Sequence, residues 1–104
     1  MENNNQLIKG EMPSNLYMIC YDLNAPNQNY NLLYDAIRSY GAWWHHLDSL
    51  WIIKTQSTAT EIRDNLRQFI DSNDSLLVTH FGSSWASAGM PKKATEWLRK
   101  NAYQ

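Results

Sequence analysis

The 104-residue chain has one cysteine, no long apolar run and no excess of charge of either sign. Each shortage closes off a class of protein. A single Cys20 cannot form an internal disulfide, and inside the run MICY it reads as a small buried hydrophobe. A helix needs roughly 20 apolar residues to cross a membrane, and no run here approaches that. No charged-then-apolar leader opens the chain, so the expectation is a cytoplasmic protein without membrane contact. Nine Lys and Arg against ten Asp and Glu give a formal net charge of −1. Without a global basic field, any nucleic-acid contact has to be local, through stacking or a metal ion. The chain also lacks a Gly-rich phosphate loop, a nucleophile elbow and the Cys/His spacing of a zinc site.

What is present is a single domain's worth of sequence, rich in aromatics, with five Trp and six Tyr. Residues 1–15 are polar and aperiodic and read as a flexible N-terminal extension. The body spans residues 16–82. LYMICYDL, residues 16–23, is apolar at both parities, the mark of a central strand covered on two faces. A loop containing Pro26 follows, then a helical stripe of Tyr30, Leu33, Ile37 and Tyr40, with Asn29 placed to cap it and Gly41 to end it. AWWHHL and LWIIKT flank Asp48-Ser49 as a β-hairpin. Thr58 with Glu61 makes a capping box for a second helix carrying Ile62, Leu66, Phe69 and Ile70. LLVTHFG supplies a fourth strand. Residues 83–104 then form a loop and a last helix, opened by Pro91, packing on the body.

The order β-α-β-β-α-β with right-handed crossovers predicts an α+β, ferredoxin-like domain: a four-stranded antiparallel sheet, plus a C-terminal helix. Both helices of the repeat then lie on one face, yet the strands are apolar on both. A large apolar patch is rarely left in water. The last helix covers part of it, and a homodimer through the sheet, using Tyr17, Ile19, Tyr21, Trp44 and Trp51, covers the rest.

The strand ending YDL, the run YGAWWHHLDSLWIIKT, DSNDSLLVTHFG and the tail WASAGMPKKATEWLRKN together resemble the small bacterial proteins labelled SinR-like, over about residues 16–101. More distantly, the strands and two helices resemble the small dimeric CRISPR adaptation protein and the ribonuclease known as virulence-associated protein D. That resemblance implies a ferredoxin-like homodimer. In the nuclease members a first-strand Asp from each protomer meets its mate near the two-fold axis and holds a divalent metal. Only Asp22 corresponds, and it is followed by NAPNQN, with no Arg or Lys before Arg38.

Asp22 therefore has two readings. As a metal ligand for Mg²⁺ or Mn²⁺ it would help activate a water for phosphodiester hydrolysis, in a metal-dependent nuclease of paired Asp22 residues. As a turn residue it accepts backbone N–H groups beside Asn24. His46 and Asp48 share a strand parity and suit either a carboxylate–imidazole pair or a polar hairpin end. Trp85 stands in a Ser/Gly loop, where an aromatic suits a ligand or partner, and Lys92 and Lys93 begin a modest basic cluster. The preferred function is a non-catalytic, homodimeric binding module. Its contacts with a nucleotide, RNA, DNA or a protein use Asn24, Asn27, Asn29, Trp85, Lys92 and Lys93. The alternative is the nuclease.

Overall fold

The computed structural model describes residues 13–25 and 29–102. It is an α+β fold of a four-stranded antiparallel sheet and three helices. The elements are β1 (Asn15–Asp22), α1 (Asn31–Arg38), β2 (Ala42–Leu47), β3 (Leu50–Thr55), α2 (Ala59–Leu66), β4 (Ser75–His80) and α3 (Lys92–Asn101). Sheet order is β2-β3-β1-β4, so β1 and β3 are central and β2 and β4 are edges. None of the helices is long and apolar enough to cross a membrane, among the described residues.

The alternation within β1 divides the core in two. Ile19, flanked by Tyr17 and Tyr21, joins Trp51 and Ile53 of β3 beneath Leu33 and Ile37 of α1 and Ile62 and Leu66 of α2. On the opposite face Leu16 and Met18 join Ile52 and Trp44 beneath Ala94 and Leu98 of α3. The Trp44 indole fastens α3 down, its Nε1–H donating to the Ala94 carbonyl at 3.0 Å in a buried bond.

Local signals account for the element ends. Thr58 accepts from the Glu61 N–H, and the Glu61 carboxylate accepts from the Thr58 N–H, closing the capping box that starts α2. A 3-10 turn, Arg67–Phe69, then tightens the chain before β4. Gly41 follows α1 at φ +102°, a left-handed conformation that a side chain would strain. Within the β2–β3 hairpin Trp44 pairs with Ile52 but Leu47 with Leu50, so the register slips by one residue between them. Such a bulge re-aims the edge residues it contains.

The surface assigned from sequence to a partner copy is largely occupied within one chain. Ile19 and Trp51 are fully enclosed by α1 and α2, and Trp44 lies under α3. Tyr17 and Tyr21 are half-buried against the same core as Ile19. What stays open on the α3 side is a narrower strip, where Leu47 is 44% and Leu77 61% exposed.

Candidate functional site

The acid that organises the end of β1 is Asp74. Its Oδ1 accepts the Asn24 N–H at 2.7 Å and its Oδ2 the Asp71 N–H at 2.7 Å. The Tyr30 hydroxyl donates to both oxygens, at 2.8 and 2.9 Å, and receives the Ala25 N–H at 3.2 Å. One carboxylate thus ties the chain after β1, the start of α1 and the turn before β4 into a single knot. Burial pushes the Asp74 carboxyl up, but the two backbone N–H groups and the Tyr30 hydroxyl outweigh it and hold its pKa below the ordinary value. Partial burial, and then the neighbouring carboxylate, push the Tyr30 phenol up.

A carboxyl held low when folded stabilises the fold at pH values above its unfolded pKa. That contribution disappears as pH falls through the folded pKa. Asp74→Ala should accordingly lower the urea midpoint at pH 7, and its gap to wild type should narrow steadily as the buffer is taken below the ordinary carboxylate range. Paired urea titrations at neutral and acid pH check this; a gap that widens with acid would contradict it.

Asp22 itself is exposed, paired across the sheet with Ser75, beside a shallow open hollow also lined by Cys20 and Leu77. Its backbone carbonyl accepts from the Asn24 amide at 3.4 Å, and that amide also donates to the Asn73 carbonyl at 3.1 Å. The Asn29 side chain accepts the Asn31 N–H at 2.9 Å one step before the first turn of α1. Asn27 lies outside the described residues. Among the described residues no three His, Cys, Asp or Glu side chains come together where a metal ion could sit. A metal site on Asp22 therefore has to draw further ligands from elsewhere, such as a second copy. Burial raises the Cys20 thiol pKa, which favours the unreactive protonated form.

The other end of the sheet carries a denser constellation. Edge strand β2 sends Trp43 and His45 to the α1 face and Trp44 and His46 toward α3. An open cleft of about 420 Å³ is lined by these four with Lys93 and Trp97. Lys93 and Trp97 are four residues apart on α3 and share one side of it. The His45 ring lies flat on Trp51, with centroids 3.8 Å apart and planes 7° from parallel. Its Nδ1–H donates to the Leu50 carbonyl at 3.1 Å, since a carbonyl can only accept. Trp51 in turn donates from Nε1 to the Tyr21 hydroxyl at 3.0 Å. Trp43 tilts against Trp51 at 5.4 Å and stays 40% exposed. The Arg38 guanidinium stands 5.9 Å from the Trp43 ring and 5.5 Å from the Trp51 ring.

His46 meets the edge of the Trp44 ring at 5.0 Å. Partial burial, then the Lys93 charge and then His45, lower its pKa, which favours the neutral imidazole. Of the two readings of His46 and Asp48, the carboxylate–imidazole pair does not form, and His46 makes the Trp44 contact instead. The register slip before Leu47 breaks the shared parity, and the carbonyl of Asp48 accepts from the Tyr21 hydroxyl at 3.2 Å.

The basic residues divide. Lys93 enters the cleft, whereas Lys92 reaches Glu96 at 3.7 Å and is almost fully exposed. Trp85 is in neither the cleft nor the Asp22 hollow; it packs with Phe81 and Met90 against the α3 core. The sequence alone gave Trp43, Arg38, His45 and Trp97 no part in a site. The available signal was the alternation Trp43, His45 on an edge strand, set beside the Lys93–Trp97 spacing. What sequence could not show was that β2 is an edge. No family model matches the chain, and no solved structure matches it.

Proposed function

We propose that the chain is a non-catalytic binding module of ferredoxin-like architecture that holds unpaired bases of single-stranded nucleic acid in the β2-edge cleft. The architecture rests on the strand order β2-β3-β1-β4, with α1 and α2 on one face. The single observation behind the function is an exposed Trp43 braced by Arg38, on an aromatic floor of Trp51 and His45, with Lys93 and Trp97 opposite. Proteins that bind single strands combine stacking rings with cations that follow the phosphates. Pairing with a second copy, and kinship with the SinR-like proteins, belong to the same proposal. For pairing, the exposed Leu77 and Leu47 offer the surface that the enclosed tryptophans do not.

Base–aromatic stacking contributes about 1–3 kcal/mol per base, so Trp43→Ala should weaken binding of a labelled RNA oligonucleotide about tenfold or more. With Arg38 and Lys93 as the two phosphate contacts, the logarithmic salt slope should be shallow, about −1.4 at roughly −0.7 per neutralised phosphate. Lys93→Gln should halve it. Fluorescence anisotropy across a salt series measures both. Unchanged affinity in Trp43→Ala would remove the proposal. Oligonucleotide cleavage that requires Asp22 and added Mg²⁺ or Mn²⁺ would replace it with the nuclease.

A further inference from the structure

The outer edge of β4 is bare backbone. The Phe81 N–H donates to the Leu16 carbonyl at 2.9 Å, and these two residues continue the β1–β4 register. In an antiparallel ladder every second residue turns its N–H and C=O toward the neighbouring strand. Ser75, Leu77 and Thr79 therefore bond β1. Leu76, Val78 and His80 turn both groups outward, where no further strand pairs among the described residues. Proteins usually protect such an edge with a Lys, a Pro or a bulge. β2, the other edge, has its bulge. SLLVTH has no Lys or Pro and pairs with β1 without a break. Its Leu77 lies on the α3 side of the sheet, opposite Cys20 and outside the core that α3 covers.

We propose that this edge is occupied by the β4 of a second copy, antiparallel, with the two-fold axis at Leu77. The inference rests on the pairing with a second copy and adds where that copy binds. In this register β4 is complementary to itself. Leu77 meets the partner's Leu77, Ser75 meets the partner's Thr79, and Leu76 exchanges backbone hydrogen bonds with the partner's Val78. Apolar faces apolar and hydroxyl faces hydroxyl, pairings that stabilise antiparallel sheets. Sliding the axis to Val78 would set Leu77 against Thr79 and Leu76 against His80. An extended peptide would satisfy the same backbone groups, but the side-chain match belongs to the strand itself. Beside the seam, Arg63 of α2 lines a groove of about 300 Å³ with Leu76 and Val78. Asp64 pairs with that Arg63 at 2.8 Å, so two copies bring no unpaired like charges together there. Asp22 lies one strand in, beside Ser75. At about 4.8 Å between strands and 3.4 Å per residue, the two Asp22 residues stand roughly 20 Å apart, too far to share a metal ion.

Sedimentation of the full chain should show a monomer–dimer equilibrium. In amide hydrogen exchange Leu76 and Val78 should be protected. His80 should not, because its mate would be Asp74, which lies outside β4 and whose N–H already bonds the Asp71 carbonyl. Once the dimer predominates, protection at Leu76 and Val78 should rise about tenfold for a hundredfold rise in concentration, by mass action. Leu77→Lys sets like charges opposite each other on a side chain that one copy leaves exposed. It should give a folded monomer in which both amides exchange fast. Val78→Pro removes an outward N–H, which an edge strand tolerates, and should do the same. A dimer in which those amides exchange as fast as in a monomer, or one that Leu77→Lys leaves intact, would overturn the seam and keep the pairing. A monomer at every concentration would end both, and RNA binding at the cleft is read separately. The wild-type exchange pattern decides the matter even where a variant folds poorly.

Discussion

Trp51→Ala should destabilise the protein by about 3–5 kcal/mol, as removal of a fully buried Trp typically does. The reason is the number of roles meeting in one side chain. Trp51 is 1% exposed and sits between sheet and helices, with Tyr34 stacked at 6.2 Å on one side and His45 at 3.8 Å on another. Truncation would open a cavity in the α1/α2 core and leave the Tyr21 hydroxyl without its indole donor. It would also remove the surface on which His45 and Trp43 lie, so the cleft should fail together with stability. Domains of this size have about 5–15 kcal/mol in total, and each kcal/mol lost should lower Tm by about 4–8 °C. Calorimetry should therefore show Tm down by more than about 10 °C. Trp51→Phe, which keeps a ring for His45, should fall well short of that.

The second large effect is expected on the other face. Leu98 is 3% exposed where α3 lies on Leu16, Trp44 and Ile52. Leu98→Asp puts an unpaired carboxylate there, which the helix can escape only by lifting from the sheet. Undocking would uncover Trp44 and Ile52 next to Leu47, which is already exposed, and so create a wide apolar patch. The expected outcome is a chain that keeps its sheet signal in circular dichroism, binds a hydrophobic dye and associates in light scattering. A variant that stays as monodisperse and dye-free as wild type would show that α3 is not what shields that face.

These two cores also show how far the residues alone carried the fold. The β1 alternation of Leu16, Met18 and Cys20 against Tyr17, Ile19 and Tyr21 was legible, because period two assigns faces whatever lies on them. AWWHHL and LWIIKT match β2 and β3, the Thr58–Glu61 box starts α2, and Lys92 opens α3. The first helix is shorter than its apolar stripe, since Tyr30 turns to Asp74 and Tyr40 receives the Asn65 amide. What covers each face was not legible. Two apolar faces are satisfied equally by a second copy or by the chain's own last helix, and α3 takes much of the second one. The function of Asp22 was read from its place at a strand tip, while the knot around Asp74 depends on contacts some 50 residues apart. The β2 cleft was hidden for a similar reason. An edge strand and a central strand carry the same aromatic pattern, and only sheet order exposes Trp43 and His45 along with Lys93 from α3.

The most direct measurement is a titration of ¹⁵N-labelled protein with a short unpaired RNA, following the five indole N–H signals. The Trp43 and Trp97 signals should shift together and saturate, along with the Lys93 amide, while the amides of Asp22 and Asn24 stay in place. Shifts confined to Asp22, Asn24 and Ser75, with the indoles of β2 and α3 unmoved, would contradict a binding surface at the β2 edge.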